Sequence, residues 1–194
     1  MTLVLIEGLN VKCLAAGVGC VGGVLVAGAL ELLLRDQIKM SGVLDSEWLY
    51  LYNLRKDNPI DLKAIIFAMI IVGAVGAVMD VAMSIASSLC EINEKSPDLP
   101  ARELLKSGLT IGRDIMGTMA NTLVLAYIGS ALCCVLLMVT YSSNVSQILN
   151  REQIAVEILQ ALAGSIGILA ALPLTAITSV LCLKPLNRIK RSVH

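Results

Sequence analysis

The sequence predicts an all-α integral membrane bundle of four transmembrane helices with a short interfacial helix on each side. Three observations predict it. Of the 194 residues, 57% are hydrophobic and only 15% are charged, against about 25% charged in a soluble domain. Four apolar stretches each exceed the roughly 18 residues that mark a spanning helix. No β-barrel alternation runs through them, and lipid offers no partner to the backbone of an open strand. The spans fall at about 11–34, 62–91, 113–141 and 153–183, and together they make one domain. Lys+Arg and Asp+Glu stand at 15 each, so no bulk charge draws the chain to nucleic acid. The single histidine is the terminal His194, which argues against histidine catalysis and histidine metal sites.

The first span is broken only by Glu31, which is expected to pair with Arg35 four residues on, near the membrane surface. Gly17-Val18-Gly19-Cys20-Val21-Gly22 is a literal GxGxxG. A dinucleotide site needs a strand before that motif, and here it lies inside a span. Gly19 and Gly23, four apart, instead make a smooth face for close helix packing. After the span, residues 46–56 hold Trp48, Tyr50 and Tyr52, half the aromatic residues of the chain. Such rings favour the headgroup zone, so an interfacial helix is expected there.

Asn58-Pro59-Ile60-Asp61 opens the second span, with an acid at the positive helix end. Pro97 and Pro100 close it. Residues 101–109 (ARELLKSGL) read as a second short amphipathic helix lying on the membrane before the third span. The fourth span contains Pro173, expected to kink it, with Thr175 and Thr178 positioned to bond the carbonyls that the kink frees. Glu157 at its start reads as interfacial. Small residues recur in the other spans as in the first: Gly73 and Gly76, Gly117, then Gly164 and Gly167. The six cysteines form no CxxC pair and read as packing residues rather than ligands.

Asp80 is the only charge in the second span between Ala64 and Cys90. A carboxylate near a helix centre costs about 2.5–3.5 kcal/mol on insertion scales, so it must face the bundle interior, a water cavity or a partner. At helical spacing it shares a face with Ser84, Ser87, Ser88, Gly76 and Gly73. In the third span Asp114, Thr118 and Asn121 form a matching stripe. Arg113 stands beside Asp114 at the helix start, where it reaches the headgroups. Both stripes lie about 15 Å from the intervening connection, and Asp80 is expected near Asn121 or Thr118.

Lys and Arg number nine on the side of the termini and the 91–113 connection, against six opposite. The positive-inside rule puts both termini in the cytoplasm.

Three blocks, GAVMDVAMSIASS (76–88), SGLTIGRDIMGTMANTLVLAYIGS (107–130) and GSIGILAALPLTA (164–176), resemble the YibE/F-like family of multispan membrane proteins. The resemblance covers roughly residues 8–180. It implies a bacterial cell-membrane protein, often encoded beside or fused to a related multispan partner, and in many members further spans before the first one here. Asp80, Arg113, Asp114, Thr118 and Asn121 are the positions that match its polar motifs. A looser likeness, of arrangement alone, is to the proton-coupled core of the resistance-nodulation-division superfamily.

The expected function is a transporter or transport-complex subunit with Asp80 as a protonatable or cation-binding acid. The alternative is a non-catalytic assembly subunit of a larger complex, joined to a related multispan protein or to its own copies. No cofactor or metal is expected, and no enzyme activity. An intramembrane aspartyl protease would pair Asp80 with Asp114, but Asp114 lies too near the connection, and Val78-Met79 precedes Asp80 where a Gly-x-Gly run is wanted.

Overall fold

A computed structural model describes residues 11–38, 48, 50, 61–141, 146 and 151–192. Four helices make up the fold: α1 Val11–Ile38, α2 Leu62–Lys95, α3 Ala101–Tyr141 and α4 Glu152–Ser192. Each contains a segment long and apolar enough to cross a membrane: Lys12–Leu34, Leu62–Lys95, Ala101–Cys133 and Glu152–Lys184. The shortest, at 23 residues, is about 35 Å long, more than the roughly 30 Å of a bilayer's hydrocarbon core. The protein is therefore a membrane-spanning helical bundle. The helix expected over 46–56 falls outside the described residues, apart from Trp48 and Tyr50.

The start of α2 follows from its sequence. Asp61 is its N-cap, and Oδ1 accepts from the backbone N–H groups of Lys63 at 3.0 Å and Ala64 at 3.2 Å. That satisfies two of the donors a helix leaves open at its first turn. At the other end Ser96 closes the helix, its N–H bonding the Ile92 carbonyl at 2.9 Å. A turn over 96–100 then delivers the chain to α3, and the Pro100 carbonyl accepts from Glu103 and Leu104. Lys184 on α4 reaches across to donate to the Leu99 carbonyl, so the turn is tied to the far end of the sequence.

One expectation is corrected here. Residues 101–109 do not form a separate surface helix; they are the first turns of α3. No proline interrupts 109–113, and Gly108 and Gly112 are pressed into the bundle. A side chain at Gly108 would meet Leu89 at 2.8 Å, and one at Gly112 would meet Leu172 at 2.8 Å and Ile85 at 3.0 Å. Leu104 is fully buried with them. The interior contacts keep the helix straight where amphipathicity alone allowed it to lie flat.

Helix α4 is the centre of the bundle, packing against α1, α2 and α3; α2 also packs against α1 and α3. Half of the α4 membrane window is buried, against 6% of that in α3, so α3 is the outlying helix. The core runs through Val78, Val81, Ile85 and Leu89 of α2 to Ile168, Ala171 and Ala176 of α4. Backbone meets backbone at Gly23, where a Cβ would lie 2.7 Å from the Gly167 carbonyl oxygen and 2.8 Å from Val78 and Ala171. Only glycine permits α1, α2 and α4 to meet there. Beyond it the α1–α2 seam is built of Ala15, Ala16, Ala82 and Ala86.

α4 continues as one helix through Pro173, whose ring faces outward. Of the two threonines expected to bond to backbone, Thr178 does, donating to the Leu174 carbonyl at 2.6 Å. Thr175 is fully buried against Gly19, and its hydroxyl has no hydrogen-bond partner.

Candidate functional site

Helical geometry decides where Asp80 points. Val78, Val81, Ala82 and Ile85 occupy the inward arc of α2, all fully buried. Asp80 follows Val78 by two residues, a rotation of about 200°, and so projects from the opposite side. It is exposed, as is Gly76 one turn before it, and nothing lies within 4 Å of a side chain built at Gly76. The expectation that Asp80 faces the bundle interior is thereby corrected: within one chain it faces outward. Ser84 donates to the Asp80 backbone carbonyl at 2.8 Å, and Ser88 to that of Ser84 at 2.8 Å. The serines bond their own helix and leave the carboxyl alone.

The α3 stripe behaves the same way. Thr118 donates to the Ile115 carbonyl at 2.8 Å, and Thr122 to that of Met119 at 2.9 Å. Arg113, Asp114, Gly117, Thr118 and Asn121 are all exposed. Neighbouring rungs set the register between the two helices: Leu89 meets Gly108, and Ile85 meets Gly112. Carried further along the antiparallel helices, that register sets Asp80 level with Gly117 and Gly76 level with Asn121. The stripes therefore share a depth in the membrane, near its middle. No hydrogen bond or ion pair joins Asp80 to Asp114, Thr118 or Asn121 among the described residues. Each helix thus carries outward polar groups, a carboxyl on α2 and a carboxyl, an amide and a guanidinium on α3, with open space at Gly76 and Gly117.

The acid that does lie in the interior is Glu31, fully buried. A surface pairing with Arg35 was the expected reading; the Arg35 side chain falls outside the described residues. The signal for burial was present in the sequence. Gly19, Gly23 and Ala27 succeed one another every four residues on the packed face of α1, and Glu31 is the next step of that row.

The family model for YibE/F-like proteins matches residues 1–185. The chain belongs to the YibE/F-like family. No curated protein and no solved structure matches it. The matched range takes in α1, α2 and α3 whole and most of α4, including every residue of the polar face.

In this YibE/F-like chain a second group of polar side chains lies where α2, α3 and α4 meet, beyond the polar face. The Tyr127 hydroxyl of α3 and the Gln160 side chain of α4 both lie over Gly73. Gly73 of α2 makes room for both: a Cβ there would lie 2.7 Å from the Tyr127 hydroxyl and 2.9 Å from Gln160 Nε2. Close by on α4 is Glu157. Its Oε2 is buried and makes no hydrogen bond. Sequence reading placed Gly73 among the packing glycines but assigned Tyr127 and Gln160 nothing, because residues 33 apart on different spans carry no common period.

Chemically, the outward face offers a carboxyl able to take and release a proton or to hold a cation. It also offers an acceptor and a donor in Asn121, and a fixed positive charge at Arg113. All of it stands at a surface another membrane helix can reach.

Proposed function

We propose that the chain is a subunit of a membrane transport complex, with Asp80 as the protonatable or cation-binding acid at its contact with another multispan subunit. The observation that carries this reading is the exposure of Asp80 near the middle of its spanning helix, with no hydrogen-bond or ion-pair partner among the described residues. A carboxylate at that depth is too costly to leave against acyl chains. Thr118 and Asn121 stand level with or beyond Asp80 and Asp114 stands toward the 96–100 turn, and together they serve as the rest of the ion or proton path. The lysine and arginine bias places the termini and the 96–100 turn in the cytoplasm of a cell membrane. No catalytic step is assigned to the chain.

A second reading, an assembly subunit without an ion pathway, is favoured by one observation: the gaps at Gly76 and Gly117 on that face, which fit a closely packed neighbour. One experiment separates the two. The complex is purified from native membranes through a tag on this chain and reconstituted into vesicles carrying a pH-sensitive dye. For Asp80→Asn, transport predicts that the neighbouring subunit still copurifies while proton flux falls to that of empty vesicles. Pure assembly predicts that the neighbour is lost. Unchanged flux with the neighbour retained refutes the assignment of Asp80.

A further inference from the structure

Away from the polar face, α3 and α4 separate toward the ends joined by residues 142–151 and leave a groove of about 400 Å³ between them. That volume lies within the range of small-molecule sites. Its walls are apolar, with Ile128 and Leu132 from α3 and Ile158 and Leu162 from α4, each about half exposed. Three polar side chains line the same groove, Glu157, Tyr127 and Ser165, and the Ser165 hydroxyl is already committed to the Ala161 carbonyl of its own helix.

We propose that this groove is a binding site for a lipophilic cation, a molecule with an apolar body and an amine, quaternary ammonium or phosphonium centre. Three features select that class. Glu157 brings a negative charge into an otherwise apolar groove, and one of its oxygens is buried without a hydrogen-bond donor. A buried carboxylate oxygen in that condition is costly until a positive group reaches it. Tyr127 adds an aromatic ring in the same lining, and ring faces attract cations. The ring is held in place, since its hydroxyl is seated over Gly73 beside the Gln160 side chain.

Depth fits as well. Glu157 is five residues into α4 from Glu152, about 8 Å from the helix start. A cationic centre stopped there stays near the membrane surface, while its apolar body extends deeper along the groove toward Val124 and Leu162. An acyl chain alone would fill the walls but leave Glu157 unmatched, so charge complementarity favours the cation over lipid tails.

The test uses the full chain in nanodiscs of neutral phosphatidylcholine and radiolabelled tetraphenylphosphonium as probe. Saturable binding is expected, displaced by dodecyltrimethylammonium and far less by dodecanol. Glu157→Gln, close to isosteric, should weaken it about tenfold or more, and Tyr127→Leu about fivefold. Glu157→Asp keeps the charge and should retain binding, a check that holds even if the Gln variant folds poorly. Absence of saturable binding overturns the proposal, as does equal affinity in Glu157→Gln. Equal displacement by dodecanol also overturns it, and identifies the groove as a slot for neutral chains.

Discussion

Asp80 and Val78 are two residues apart and meet opposite environments, one against solvent or lipid and the other in the core. That contrast makes the outward direction of the carboxyl a property of the helix rather than of a flexible side chain. Turning Asp80 inward would require rotating α2 and drawing Val78, Val81 and Ile85 out of the core together. At Gly23 the same precision operates through volume. A β-branched residue there collides with the backbone oxygen of Gly167, which has no rotamer to move out of the way. Gly23→Val should therefore force α1 from α4 and cost about 1–3 kcal/mol or more. Titration with sodium dodecyl sulfate, followed by circular dichroism, measures it. Asp80→Asn in the same assay should leave the isolated chain as stable as wild type, because the carboxyl has no partner to lose among the described residues.

At the scale of elements, α3 is the helix that differs most from its neighbours. It is held at its first turns by Leu104, Gly108 and Gly112 and is largely uncovered further on. Its continuity from residue 101 distinguishes this fold from one with a separate surface helix. Spin labels at Arg102 and Asn121, in a background with the six native cysteines replaced, should lie about 28 Å apart for a continuous helix. A right-angle bend near residue 110 would bring them to about 20 Å. Double electron–electron resonance separates the two. The amphipathic pattern of 101–109 was plain in the sequence; that its apolar side meets Leu89 and not the headgroups was not. Amphipathicity names a face but not what covers it.

For the whole molecule, the four spans, the Asp61 cap and the tight glycine packing at Gly23 and Gly167 were legible in the sequence. Length, apolar content and small residues act locally and need no knowledge of the neighbours. The direction of the polar stripe was not legible. Periodicity placed Asp80, Asp114, Thr118 and Asn121 on shared faces, yet both α2 and α3 have two faces that a bilayer accepts in principle. The choice between them was made by Val78, Val81 and Ile85, which bury more apolar surface than the alternative arc. Glu31 shows the converse, an acid drawn inside because it continues a row of packing positions on α1.

The bundle thus presents Asp80 on α2 and Asp114, Thr118 and Asn121 on α3 outward, polar groups that are costly to leave against acyl chains. The account stands on that surface being covered by another protein subunit in the native membrane. Photoreactive benzoylphenylalanine placed at Thr118 tests it directly, with Leu25 on the exposed apolar side of α1 as the control. On irradiation of intact membranes, the account predicts a discrete protein adduct from position 118 and none from position 25. Lipid adducts alone from both positions would contradict it.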